Sequence, residues 1–83
     1  MPKMTKSQQE CYAKLCNALA VNRDRVFDAG PDMLTVFSKC LEMASDSVRA
    51  DYFAACDAVD DFENSMIAAG RAYRASYSRF VPY

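Results

Sequence analysis

Apolar residues recur with helical spacing along most of the chain, and most regularly between Val48 and Tyr73. In that stretch they follow one another at alternating steps of four and three residues, at Val48, Tyr52, Ala55, Val59, Phe62, Met66, Ala69 and Tyr73. Such steps are typical of a helix that buries one apolar seam, as the a and d positions of a heptad do. The pattern predicts a long C-terminal helix over about residues 47–78, around which the rest of the chain packs.

A first helix is predicted over about residues 5–20, after a frayed segment at residues 1–4. Its start has the spacing of a capping box, with either Thr5 or Ser7 as the capping residue. The apolar rhythm then either continues to Ala29 or breaks near Asn22, and the spacing allows both. The N-terminal part of the chain is therefore expected to supply one helix or two.

A second helix is predicted over about residues 31–44. Gly30 and Pro31 separate it from the first, because glycine takes the left-handed conformation at a helix end and proline cannot continue a helix. Its apolar residues cover more than half of the circumference: Met33, Leu34, Phe37, Cys40, Leu41 and Ala44, with Val36 and Met43 at the edges. A helix this apolar is expected to be sandwiched between other elements.

The fold class predicted from these patterns is all-α, with one domain over residues 1–83 that forms a small bundle of three helices, or of four. No strand pattern and no Asn-Gly or Asp-Gly turn occurs. A helix of about 30 residues spans roughly 45 Å, whereas a compact domain of this size is about 30 Å across. The long helix must therefore break at Gly70, belong to an elongated bundle, or be covered by a second chain. An elongated bundle that self-associates, as a dimer, is the expectation.

Composition argues against several kinds of chemistry. Ten Lys and Arg face eleven Asp and Glu, and the chain has no His, two Gly and no Cys-x-x-Cys pair. The commonest general base, a glycine-rich phosphate loop and a structural zinc site are therefore missing from the sequence. We expect no catalytic residue, no metal and no cofactor, and hence a protein that is not an enzyme.

The four cysteines are expected to be free and mostly buried, since reduced Cys is among the most buried residue types. The sequence contains neither a signal-peptide pattern nor a membrane-spanning run of apolar residues. A cytoplasmic location without membrane contact is the expectation.

Two groups of side chains are candidates for binding. The first combines arginine with aromatic residues, which are enriched at binding hot spots, and consists of Arg71, Tyr73, Arg74, Tyr77, Arg79 and Phe80. The second is an acidic patch of Asp57, Asp60, Asp61 and Glu63. The aromatic residues of the first group equally fit the end of the core seam, and the acidic patch equally fits a solvated helix face.

The function predicted from these features is that of a small non-enzymatic helical protein that binds another protein, or itself, as an interaction or regulatory protein. One variant is an inhibitor that docks on a larger host complex, with the acidic patch imitating nucleic-acid phosphate. The alternative is a nucleic-acid-binding module that uses the basic, aromatic C-terminal helix, because arginine grips phosphate and aromatic rings stack on bases.

Overall fold

The computed structural model describes residues 1–83 and consists of three helices followed by a small two-stranded sheet. The helices are α1 (Lys6–Asp28), α2 (Phe37–Met43) and α3 (Asp46–Ala68). The strands are β1 (Ala72–Arg74) and β2 (Phe80–Pro82), joined through a short 3₁₀ turn at Ser76–Ser78. The prediction of a mostly helical protein is confirmed, whereas the prediction that the chain contains no strand is wrong.

Local hydrogen bonds explain the extent of α1. Thr5 and Gln8 form the capping box, with the Thr5 oxygen accepting from the Gln8 amide at 3.1 Å and the Gln8 side chain accepting from the Thr5 amide at 2.8 Å. The Asn22 side-chain amide donates to the carbonyl of Ala18 at 2.8 Å. Asn22 therefore bonds to the preceding turn of α1 and does not cap a new helix. Helix α1 continues to Asp28 without a break.

Helix α2 is much shorter than the predicted helix over residues 31–44, which is wrong in its first part. The Asp32 carboxylate accepts from the Leu34 amide at 2.9 Å and from the Thr35 hydroxyl at 3.1 Å. This turn competes with helix formation, and the helix begins only at Phe37. The helix is not sandwiched, because Cys40 is its buried residue while Met43 is 55% exposed.

Helix α3 ends at Ala68, so the prediction of a helix to about residue 78 is also wrong. Gly70 has a φ of 74° and forms a Schellman motif, in which the Arg71 amide donates to the Met66 carbonyl at 2.9 Å and the Gly70 amide to the Ile67 carbonyl at 3.0 Å. These bonds satisfy the last carbonyl groups of the helix and turn the chain away from its axis.

The segment after Gly70 forms an antiparallel hairpin, with Ala72 opposite Pro82, Tyr73 opposite Val81 and Arg74 opposite Phe80. Ala72 is buried in a small core cluster with Met4 and Met66. The hairpin therefore packs back on the start of α1 and the end of α3.

The two long helices run antiparallel in a single layer. Tyr12 stacks on Phe62 near one end, with ring centroids 5.5 Å apart, and Arg25 pairs with Asp51 near the other end at 2.9 Å. The molecule measures 47 × 25 × 17 Å, with a radius of gyration of 15.1 Å. It is therefore elongated and thin, with α2 at one end and the hairpin at the other.

The core of this layer is small, since eight of the 83 residues are buried and only Val26 and Cys40 are enclosed completely. All four cysteines are free, but Cys11 is exposed and Cys16 and Cys56 are partly exposed. The prediction of mostly buried thiols is therefore wrong, because two helices cover each other on one side only. None of the helices is long and apolar enough to cross a membrane.

Candidate functional site

Glu63 is a buried carboxylate that joins the hairpin to both long helices. One of its oxygens accepts from the Tyr12 hydroxyl at 2.5 Å, and the other accepts from the Arg74 guanidinium at 2.7 Å. Arg74 also donates to the Asn64 side chain at 3.1 Å and to the Ser78 carbonyl at 3.2 Å. The structure thus brings together one residue from each sequence-predicted group, Glu63 and Arg74, in an internal ion pair.

The other members of the acidic patch are separated from Glu63. Asp57, Asp60 and Asp61 are exposed on α3 and make no ion pair. Sequence reasoning treated all four carboxylates alike, since nothing local distinguishes Glu63 from the aspartates beside it. The partners that bury Glu63 lie far along the chain at Tyr12 and at Arg74.

Most members of the predicted Arg and aromatic group are held by contacts within the chain. The Arg71 guanidinium donates to the carbonyl of Lys3. The Phe80 ring lies 5.1 Å from the Tyr12 ring, and the Tyr73 ring lies 5.3 Å from the Tyr83 ring. The contacts of Arg71 and Phe80 hold the hairpin against the N-terminal part of the chain, whereas the contact between Tyr73 and Tyr83 lies within the C-terminal segment.

Tyr77 and Arg79 differ from the rest of that group because their side chains make no hydrogen bond, ion pair or ring contact. Tyr77 is fully exposed, and both Tyr77 and Ser78 have a positive φ, of 61° and 58°. This conformation is strained for residues other than glycine, at a cost of about 1–3 kcal/mol each. The bond from Arg74 to the Ser78 carbonyl braces the loop, so the Tyr77 ring is held in solvent by a fixed backbone.

At the other end of the molecule four aromatic rings form a continuous row across the three helices. Successive ring centroids are 5.0, 5.2 and 5.5 Å apart, each pair edge to face, in the order Phe27, Phe37, Tyr52 and Phe53. Edge-to-face contacts at these distances are favourable. We call this feature the aromatic row, and its outer rings, Phe27 and Phe53, are about half exposed.

A shallow cavity lies at each end of the aromatic row. The cavity beside Phe27 has a volume of about 480 Å³ and is also lined by Asp24, Asp28, Gly30, Asp32 and Met33. We call it the acidic cavity. Neither Asp24 nor Asp28 has an ion-pair partner. The cavity beside Phe53 has a volume of about 490 Å³ and is also lined by Ser38, Leu41, Glu42 and Arg49.

Large apolar side chains stand in solvent around the row and its cavities. Met33 is 100% exposed and Leu34 is 90% exposed, and Val36, Met43 and Phe53 are exposed by half or more. These five residues, the aromatic row and the acidic cavity together form what we call the α2-end surface. Sequence reasoning missed this surface because it assigned the apolar residues to a buried helix. The signal available was Asp32 three residues before Thr35, which is typical of a turn.

The pKa of the Tyr12 hydroxyl is raised well above its ordinary value, by burial and by the hydrogen bond to Glu63. The pKa of Tyr52 is also raised, by a hydrogen bond to Cys56 and by burial. In both cases the surroundings favour the neutral phenol.

The raised pKa of Tyr12 predicts a loss of stability in alkali. The neutral Tyr12 hydroxyl contributes fully to the free energy of unfolding below the ordinary pKa of 10.0. This contribution is lost as the pH rises above that value, because Tyr12 releases its proton at a lower pH in the unfolded chain than in the folded protein. We expect the free energy of unfolding to fall above pH 10.0 less steeply in Tyr12→Phe than in the wild type. Urea unfolding over a pH series tests this. Tyr73→Phe, which changes an exposed ring outside the proposed contacts, should keep the wild-type slope.

No group of three or more His, Cys, Asp or Glu side chains is placed to hold a metal ion. The chain matches no protein-family model, no curated protein and no solved structure. Its function is therefore inferred from the α2-end surface and from the loop that joins β1 to β2, at residues 75–79.

Proposed function

We propose that this chain is a small non-enzymatic interaction protein that docks on another protein through the α2-end surface. The observation that carries the proposal is the group of large apolar side chains exposed at one end of a molecule with a very small core. Met33 and Leu34 are the central residues of a turn that the Asp32 carboxylate closes, so a defined backbone presents them. Exposed apolar clusters of this kind mark interaction sites.

The size of the surface is consistent with docking. Five large apolar side chains that are each exposed by half or more supply much of the area that a partner buries in a standard interface, which is about 800 Å² on each side. The two adjoining cavities supply depressions for side chains of the partner. A partner seated here removes apolar area from water, which is the main favourable term in protein association.

The apolar seam of α3 gives a second reason to expect a partner. Val59 and Met66 are buried, but Val48, Tyr52 and Ala55 are only partly covered, because α1 is the only long helix packed on α3. A partner that extends from the α2 end along the α1–α3 layer completes a helical bundle around this seam. The partner in this proposal is either a second copy of the chain, which gives a dimer, or a larger complex that the chain inhibits by docking on it.

The alternative of nucleic-acid binding draws less support from the geometry. It depends on free arginines in the C-terminal segment, and the guanidinium groups of Arg71 and Arg74 already have partners within the chain. Arg79 remains available. A single free arginine provides little of the counterion release that drives nucleic-acid binding.

The double substitution Met33→Lys, Leu34→Lys is expected to abolish association, because it places two charges in the centre of the apolar surface. Sedimentation velocity measures self-association, and affinity capture from the native host with mass spectrometry measures other partners. Val21→Lys is the matched control, since it makes the same kind of change at an exposed apolar residue of α1 that lines neither cavity.

The proposal predicts that the wild type and the control associate while the double variant does not, with all three equally helical by circular dichroism. Two results contradict it. One is a strict monomer that captures no protein, and the other is association that the double substitution leaves unchanged.

A further inference from the structure

We infer that the partner of the α2-end surface is a second copy of this chain, whose Tyr77 enters the acidic cavity. The inference rests on the function proposed above and names the partner and the contact. In the dimer the relation is reciprocal, so each copy supplies one loop and one cavity.

The loop has the properties of a preformed ligand. Tyr77 and Arg79 are of the residue types enriched at hot spots, and neither side chain is used within the chain. The backbone is already fixed by the bond from Arg74 to the Ser78 carbonyl and by the Ala75 amide, which donates to the Arg79 carbonyl at 2.8 Å. Docking a fixed loop costs less conformational entropy than ordering a mobile one.

The acidic cavity has the complementary properties. It is shallow, and its volume of about 480 Å³ is larger than a single side chain, so a protruding ring can lie in it. Phe27 supplies an aromatic ring and Met33 a thioether, both of which pair favourably with a tyrosine ring. Asp24 and Asp28 lie one turn apart on α1 without counter-ions, and they match the unpaired charge of Arg79.

The loop and the cavity lie at opposite ends of the fold, so that the loop of each copy can contact the cavity of the other. On α3, Arg49 donates to the carbonyl groups of Leu41, Glu42 and Ala44 and so binds the α2 segment, whereas Glu63 binds the hairpin. Because Arg49, Cys56 and Glu63 are separated by steps of seven residues, they lie on one face of the helix. The α2 segment and the hairpin therefore dock on the same face of α3, roughly 21 Å apart along its axis.

A two-fold axis that lies parallel to this face, above Cys56 and perpendicular to the axis of α3, completes the geometry. It reverses the direction of the second copy and brings its hairpin to the α2 end of the first, where the turn of Asp32 and Met33 lines the acidic cavity. The converse contact forms at the same time. An interface of this type is self-complementary and closes at the dimer. Cys56, which is partly exposed, lies at the centre of this interface.

Sedimentation equilibrium of the full chain and its variants tests the dimer. Tyr77→Ala is expected to raise the dimer Kd on the order of a hundredfold, because a hot-spot tyrosine is worth about tenfold and the contact occurs twice. Arg79→Glu is expected to raise the Kd by about tenfold, through repulsion from Asp24 and Asp28. Lys14→Glu, which reverses an exposed charge on α1, is the matched control and should leave the Kd unchanged.

A charge exchange makes the test specific. Adding Asp28→Arg to Arg79→Glu restores opposite charges in both contacts of a reciprocal dimer, so the double variant should recover a Kd within a few-fold of the wild type. Failure of this rescue, or a dimer that Tyr77→Ala does not weaken, overturns the inference. If Met33→Lys, Leu34→Lys still abolishes association in that case, the proposed function stands and only the contact is wrong. A chain that stays monomeric at all concentrations overturns the inference, and capture of other proteins then decides the proposed function separately.

Discussion

Replacing Glu63 with glutamine is expected to lower the free energy of unfolding by about 2 kcal/mol, because Arg74 then lacks a counter-ion in a part-buried site. The glutamine side chain has the same shape but supplies one neutral acceptor where two charged oxygens now bind Tyr12 and Arg74. The Arg74 side chain is 32% exposed, so water screens part of the pair, and the cost stays below the about 3–5 kcal/mol of a fully buried pair. Urea unfolding followed by circular dichroism measures the change.

The control for this prediction is Asp60→Asn, which removes an exposed carboxylate from the same helix and should cost less than about 0.5 kcal/mol. The loss in Glu63→Gln should also be local to the hairpin. Amide hydrogen exchange is therefore expected to quicken at Ala75 and Tyr83, whose amides donate to Arg79 and Arg71. Equal stability of Glu63→Gln and Asp60→Asn contradicts the role given to Glu63.

The two long helices were predictable because their signals are local. Thr5 begins one helix and Ser45 the other, each with its side chain on the amide three residues later. Between these caps the apolar residues keep the helical period over several turns. Side-chain caps and periodicity act over three or four residues, so they can be read without knowledge of the fold.

The hairpin was not predictable in this way, since its stability depends on distant residues. Tyr73, Tyr77 and Phe80 have helical spacing in the sequence. Gly70 ends the helix before them, and the alternative structure is selected by Glu63 and Tyr12, which bind Arg74 and Phe80 across the fold. Tertiary contacts of this kind override local spacing.

The α2-end surface was missed for the opposite reason, because a strong local pattern of apolar residues was interpreted as a buried helix. The apolar run from Met33 to Ala44 fits a buried helix, and hydrophobic spacing contains no information on whether another element is available to cover it. Only two long helices form, so nothing within the chain covers Met33 and Leu34. The spacing identifies these residues as an apolar group, but it does not determine whether the group is buried or exposed.

Gly30→Ala is expected to lower the free energy of unfolding by about 2 kcal/mol, because the added methyl group overpacks the contact between α1 and α2. A Cβ at Gly30 would lie 2.7 Å from the Cys40 sulfur and 3.2 Å from the Thr35 Cβ. Cys40 is completely buried, so its sulfur cannot swing into solvent to make room. Gly30 does not have a positive φ, so the sequence-based expectation of a left-handed residue here is wrong, and close packing explains the glycine.

Cys40→Ala provides the internal test, since it removes the sulfur that the new methyl group meets. In that background Gly30→Ala is expected to cost less than about 0.5 kcal/mol, which a double-mutant cycle in urea measures. Gly70→Ala is the contrasting control. Nothing lies within 4 Å of its Cβ position but its φ is 74°, so it should cost about 1 kcal/mol in either background. If Cys40→Ala fails to relieve Gly30→Ala, the strain lies in the turn that presents Met33 and Leu34 rather than in the α1–α2 contact.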